Sequence, residues 1–301
     1  MIMKKIIYSL VAAVALMCSL TSHAQQSERL FPYPEAPETI TNFYERCTYL
    51  VDKFWERCNF KSAFSSKSKL NEAFGDWVSF MPYASADTVH LAVDRLLETV
   101  KKSGPQTLEI ARMAERWLYS DSADFVSEEV YLPFAKAAAS HKKIASDDRS
   151  HFARQANIIA NSAVGATFPD IELTGADGTK RHALADSTKY TLVLVASRDC
   201  SDCSLARVRL SADPALNSLV DAKLLKIVYI VDGDAGDTDK SDVSSCPANW
   251  VAGVAGSLGD TLEMRGNPMI YYLDKDNKIM VKNIPVDNVL NAFSALYKLN
   301  N

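Results

Sequence analysis

The stretch that decides the fold is YTLVLVASRDCSDCSLARVRL, residues 190–210. Tyr190 to Ala196 is a short, unbroken apolar run, the pattern of a strand buried on both faces. Cys200-Ser201-Asp202-Cys203 follows almost at once, and the residues through about Leu210 read as a helix. A cysteine that opens a helix faces unpaired N–H groups and the positive end of the helix dipole, and both favour a thiolate. With two residues between them, the second cysteine reaches back to close a disulfide. Cys200 is therefore the candidate nucleophile and Cys203 the candidate resolving thiol.

Outward from this junction the chain continues in short apolar runs and turns. Asp170 to Leu173 and Lys180 to Leu184 read as a hairpin about Gly175 to Gly178, and Lys223 to Val231 as a second central strand. Pro247 to Ala255 is expected to be a helix. Met269 to Leu273 and Lys278 to Lys282 are expected to pair around Asp274 to Asn277, before an amphipathic helix from Pro285 to Leu299. Strands alternating with helices indicate a layered α/β domain over residues 163–301.

Residues 36–161 follow a different grammar. Phe43, Tyr44, Cys47, Leu50, Val51, Phe54 and Trp55 recur at intervals of three and four, and further helices are predicted over Ala84–Lys101, Gln106–Leu118, Ser127–Ser140 and Asp147–Ala160. The fold class is thus α+β in two domains, an all-α domain followed by the α/β domain. Trp55, Trp77 and Trp117 are expected in the helical core. Cys47 and Cys58 are expected on one face of one helix about three turns apart, roughly 16 Å between Cα atoms. A disulfide spans at most about 7 Å, so both are expected to be free unless the helix breaks between them.

Residues 1–24 read as a secretory signal: Lys4 and Lys5, an apolar run from Ile6 to Leu20, and Ser22-His23-Ala24 at the cleavage point. The apolar core of about 15 residues falls short of the roughly 20 that a spanning helix needs, so no stable membrane span is expected after cleavage. Cys18 invites a lipid anchor, but the bulky Met17 precedes it. The expected location is the periplasm.

The sequence carries 33 basic against 37 acidic residues, and loss of Lys4 and Lys5 leaves 31 against 37, a net charge near −6. That balance gives no support to nucleic acid or an anionic membrane as partner. Five cysteines remain after cleavage: Cys47, Cys58, Cys200, Cys203 and Cys246. An odd number cannot all pair within one chain.

Other chemistries for the Cys200/Cys203 pair can be weighed. Structural zinc would want further ligands, yet His23, His90, His141, His151 and His182 all lie upstream and there is no second CxxC. Haem attachment would need a histidine where Ser204 stands. A thioredoxin-type peroxidase would carry Pro at 193 and Thr or Ser at 197; Ser197 fits and Val193 does not. An inert structural disulfide and a noncatalytic binding or scaffolding module remain as alternatives. No metal or cofactor is expected.

Several segments carry a resemblance. Val164-Gly165-Ala166-Thr167-Phe168-Pro169-Asp170, the Asp177-Gly178 turn, the strand into CxxC, and Arg265-Gly266-Asn267-Pro268-Met269-Ile270-Tyr271-Tyr272-Leu273-Asp274 together resemble the TlpA-like branch of the thioredoxin superfamily, within the thiol-specific antioxidant group. The N-terminal half is similar to a helical domain of unknown function found ahead of such domains in secreted bacterial proteins, on looser motifs such as Phe54-Trp55 and Trp117-Leu118-Tyr119-Ser120-Asp121. The resemblance implies a thiol–disulfide oxidoreductase whose partners are exported cysteine-containing proteins and an electron donor that recycles the pair. It also implies a cis Asn267–Pro268 bond beside the CxxC, in a groove where substrate backbone pairs.

Two departures qualify this. The family's Trp before the first cysteine and Pro before the second are here Asp199 and Asp202, and the family's proton-carrying carboxylate is absent from Tyr190 to Ala196 and from Ala206. Asp199 and Asp202 disfavour a neighbouring thiolate while Arg198 favours it, so the pair is expected on the reducing side. Cys246 is read as a thiol in the Ser-rich loop Ser241 to Ser245.

Overall fold

The computed structural model describes residues 29–186 and 188–300. The expected signal segment and Cys18 lie outside the described residues. Two compact units divide at Ala153 and Arg154.

In the first unit, α1 (Phe43–Lys53) is capped by Asn42, whose Oδ1 accepts the N–H groups of Tyr44 and Glu45. It is followed by α2 (Phe60–Ala63), α3 (Lys67–Phe80), α4 (Ala86–Val100), α5 (Gly104–Leu118), α6 (Glu128–Ser140) and the start of α7 (Ser146–Ser162). Ser103 and Ser127 cap α5 and α6 through their hydroxyl oxygens. Trp77, Phe74, Phe134 and Tyr131 are fully buried, and the Trp77 indole donates to the carbonyl of Val51. Trp55 and Trp117 are half-buried at the edge of this core.

The single long helix expected to hold both Cys47 and Cys58 ends at Lys53. Cys58 sits in the turn before α2, where Asn59 caps the next helix and so favours a restart over continuation. Both thiols are free. α3 was not anticipated: its apolar positions include Gly75, against which the Trp117 ring packs, and that glycine weakens the periodic signal.

The second unit is built on a seven-stranded sheet. The strands are β1 (Glu172–Thr174), β2 (Lys180–His182), β3 (Tyr190–Ser197), β4 (Leu225–Asp232), β5 (Val251–Ala255), β6 (Met269–Leu273) and β7 (Ile279–Lys282), in spatial order β2-β1-β5-β4-β3-β6-β7. β3, β4 and β5 run parallel; the β1–β2 and β6–β7 hairpins join antiparallel to β5 and β3. The period of two along β3 and β4 splits the core. Leu192, Leu194, Ala196, Ile227, Tyr229 and Val231 face one layer, which includes α8 (Ser201–Ser211), α9 (Pro214–Asp221) and α11 (Val286–Asn300). Val193, Val195, Val228 and Ile230 face the other, with Phe168, Ile171 and Tyr271.

Two expectations are corrected. Pro247 to Ala255 is not a helix: Val251–Ala255 is the strand β5. Its small residues disguise it, but Gly253 is what lets β1 approach, since a Cβ there would lie 2.6 Å from that of Leu173. Ser241 to Ser245 is not simply a loop, because Ser241 to Ser244 form the end of α10 (Asp237–Ser244). Helix α9, capped by Asp213, was also unanticipated.

Candidate functional site

β3, paired on both sides, ends at Ser197 at the C-terminal ends of the parallel strands, and Asp199 makes the turn with φ of 55°, the left-handed region. Aspartate tolerates that conformation better than most residues, which gives a local reason for its presence before Cys200. Cys200 is then the N-cap of α8: its Sγ accepts the N–H of Cys203 at 3.0 Å, and its carbonyl accepts the N–H of Ser204. Cys200 and Cys203 form a disulfide with an S–S distance of 2.17 Å. Cys200 is half-buried and Cys203 fully buried.

The Asn267–Pro268 peptide bond is cis. The structure brings it to the cysteine pair, with Asn267 Oδ1 2.9 Å from Cys203 Sγ. A groove of about 440 Å³ opens at Asn267 and Pro268, lined also by Asp202, Leu205, Arg209 and Ile284; neither cysteine lines it. Leu205, on the rim, is 57% exposed. The loop that carries Pro268 is held from below. Glu263 accepts both backbone and guanidinium N–H groups of Arg265, while its own N–H donates to Ser162 and its carbonyl accepts the hydroxyl of Tyr271.

Arg198 is committed elsewhere than the thiols. Its Nε and Nη2 donate to Asp239 Oδ1 and Oδ2 at 3.1 and 2.9 Å, with Asp234 a further 3.7 Å contact. Asp239 is 2% exposed, also accepts the Gly236 N–H, and is held below the usual carboxylate range by the Arg198 hydrogen bonds. The sequence reading missed this residue, hidden in a run of polar side chains from Asp232 to Asp242. Asp199 and Asp202 flank Cys200 as the order of residues requires, both of them exposed.

Cys246 is a free, half-buried thiol that packs against the same core cluster as Cys200. Its Sγ has only a 3.8 Å contact to the carbonyl of Asp242, and burial pushes its thiol up to about 12. Burial likewise raises Cys58 to about 11.

Comparison with known proteins places both halves. Residues 14–162 match the family model described as "Domain of unknown function (DUF5106)". A thioredoxin-like protein from Bacteroides caccae superposes over 89% of this chain and 99% of its own, at 17% identity and a TM-score of 0.68. The thioredoxin domain of a thiol-disulfide oxidoreductase from Bacteroides vulgatus covers 45% of this chain and 98% of its own, at 20% identity and a TM-score of 0.38. No curated protein matches the sequence. The helical half thus matches a DUF5106 family model, and the chain has a thioredoxin-like fold whose α/β domain carries the Cys200–Cys203 disulfide.

Proposed function

We propose that the protein is a thiol–disulfide oxidoreductase acting on exported cysteine-containing proteins, with the segment Ile6 to Leu20 directing it to the periplasm. The observation that carries this reading is Cys200 Sγ seated on the N-terminus of α8, accepting an amide N–H, beside the groove at cis Pro268. In the reducing direction, the Cys200 thiolate attacks a substrate disulfide, forming a mixed disulfide and releasing one substrate sulfur. Cys203 then attacks Cys200 Sγ, its proton passing to water and the second departing sulfur taking one up from water. The products are a substrate dithiol and the enzyme disulfide, which an external dithiol reduces again.

Cys200→Ser should abolish reduction of insulin or a model disulfide while leaving the circular dichroism spectrum unchanged. Turnover at the native rate in the variant would refute the assignment of Cys200, and absence of turnover by the native chain would favour a binding module.

The electrostatics support a reducing poise. Asp199 and Asp202 flank the nucleophile, and the nearest cation in sequence, Arg198, is already neutralised by Asp239. Strong oxidants depend on a strongly stabilised thiolate; here the helix N-terminus supports the Cys200 thiolate while the two flanking carboxylates oppose it. Titration against glutathione should give a potential closer to the roughly −270 mV of thioredoxin than to the roughly −120 mV of a strong oxidant. A value at the oxidising end would contradict this poise.

A further inference from the structure

The Cys203 sulfur is fully buried, and the nearest polar side-chain atom in contact with it, besides the disulfide partner, is Asn267 Oδ1 at 2.9 Å. Among the described residues the buried carboxylates are Asp239 and Glu263, and each is held by an arginine, Arg198 and Arg265 respectively. A carboxamide therefore occupies the place beside the resolving sulfur.

An amide oxygen only accepts hydrogen bonds. In the disulfide form Cys203 has no proton to give, and the contact is oxygen against sulfur. After reduction the same oxygen is set to accept the S–H of Cys203. A buried thiol with an acceptor is stabilised; a buried thiolate facing an oxygen lone pair is not.

We infer that Asn267 is a positioning residue that stabilises the reduced dithiol by accepting the Cys203 S–H, so that Cys203 rests as a thiol while Cys200 is the thiolate. Protonation matters for the balance of the resolving step. The Cys203 proton passes to water, the Cys203–Cys200 S–S bond forms as the bond from Cys200 to the substrate sulfur breaks, and the departing substrate thiolate takes up a proton from water. The inference rests on the oxidoreductase reading for its mechanistic meaning, but the hydrogen bond itself does not.

The test is the equilibrium of the Cys200/Cys203 pair with reduced and oxidised glutathione at pH 7, read by thiol trapping and mass analysis of the peptide that holds both cysteines. Trapping by peptide keeps Cys47, Cys58 and Cys246 out of the measurement. Asn267→Leu, similar in shape but without an acceptor, should lower the equilibrium constant for reduction by about two- to tenfold, the worth of one net hydrogen bond. Asn267→Asp keeps the acceptor and strengthens it with charge, so it should hold the reduced form at or above native stability. An unchanged constant in Asn267→Leu overturns the inference, as does a fall in both variants together, which would indicate a structural perturbation. If Asn267→Leu fails to fold, a fall in Asn267→Asp alone is sufficient to reject it. Insulin reduction by the native chain is measured in parallel. Loss of turnover there would defeat the oxidoreductase reading and leave the glutathione comparison to decide the role of Asn267.

Discussion

The residues around the disulfide are chosen by backbone shape as much as by charge. Asp199 adopts φ of 55°, a conformation that costs an ordinary L-residue about 1–2 kcal/mol and a β-branched one at least as much. Asp199→Val should lower stability by about that amount in urea unfolding, whereas Asp199→Gly should be neutral or better. The sequence showed an aspartate in place of the family's tryptophan, but not the left-handed turn that suits it. Arg198 and Asp239 form the second local constraint. Hydrogen bonds from Arg198 hold the Asp239 carboxyl below its ordinary value, so the pair stabilises the fold at pH above the unfolded value near 4 and fades as pH falls through the lower folded value. Asp239→Asn should therefore lower the unfolding midpoint at pH 7, and the gap from the native chain should close as the pH is brought well below about 4. A gap that persists undiminished in acid would show that the charge is not the source.

At the scale of elements, the boundaries that the sequence predicted well are those with a strong local signal. β3 begins at Tyr190 and runs to Ser197, β6 spans Met269–Leu273, and α11 starts at Val286, one residue after the expected Pro285. Each is a clean apolar run or an amphipathic stripe with a proline or a turn at its border. β5 was misread because its residues, Val-Ala-Gly-Val-Ala, suit a helix as well as a strand, and only pairing with β4 and β1 selects the extended form. Its central glycine is the price of that pairing. Gly253→Ala would place a methyl group 2.6 Å from Leu173 Cβ and about 3.1 Å from the carbonyl oxygen of Thr174. The expected outcome is a loss of about 1–3 kcal/mol in denaturant unfolding, from overpacking between β1 and β5. An unaffected midpoint would mean that the edge hairpin moves away freely.

Across the whole molecule, two units each close their own core, and the second divides its core over two faces of one sheet. Much of this was legible in the order of residues. The change from a period near 3.6 to short apolar runs marks the passage from helices to an α/β domain, because side chains must alternate with the repeat of the backbone that carries them. A CxxC between a buried strand and a helix start is also local, and its disulfide spacing follows from three residues of chain. Tertiary structure alone decided the rest of the site. Asp239 meets Arg198 across 41 positions, and Asn267 meets Cys203 across 64. Such contacts are set by the order in which strands pair, and strand order leaves no periodic trace in the residues themselves. The order of residues marked two cysteines three apart at a strand-to-helix junction of an α/β domain; the folded chain decided what each charge and each sulfur touches.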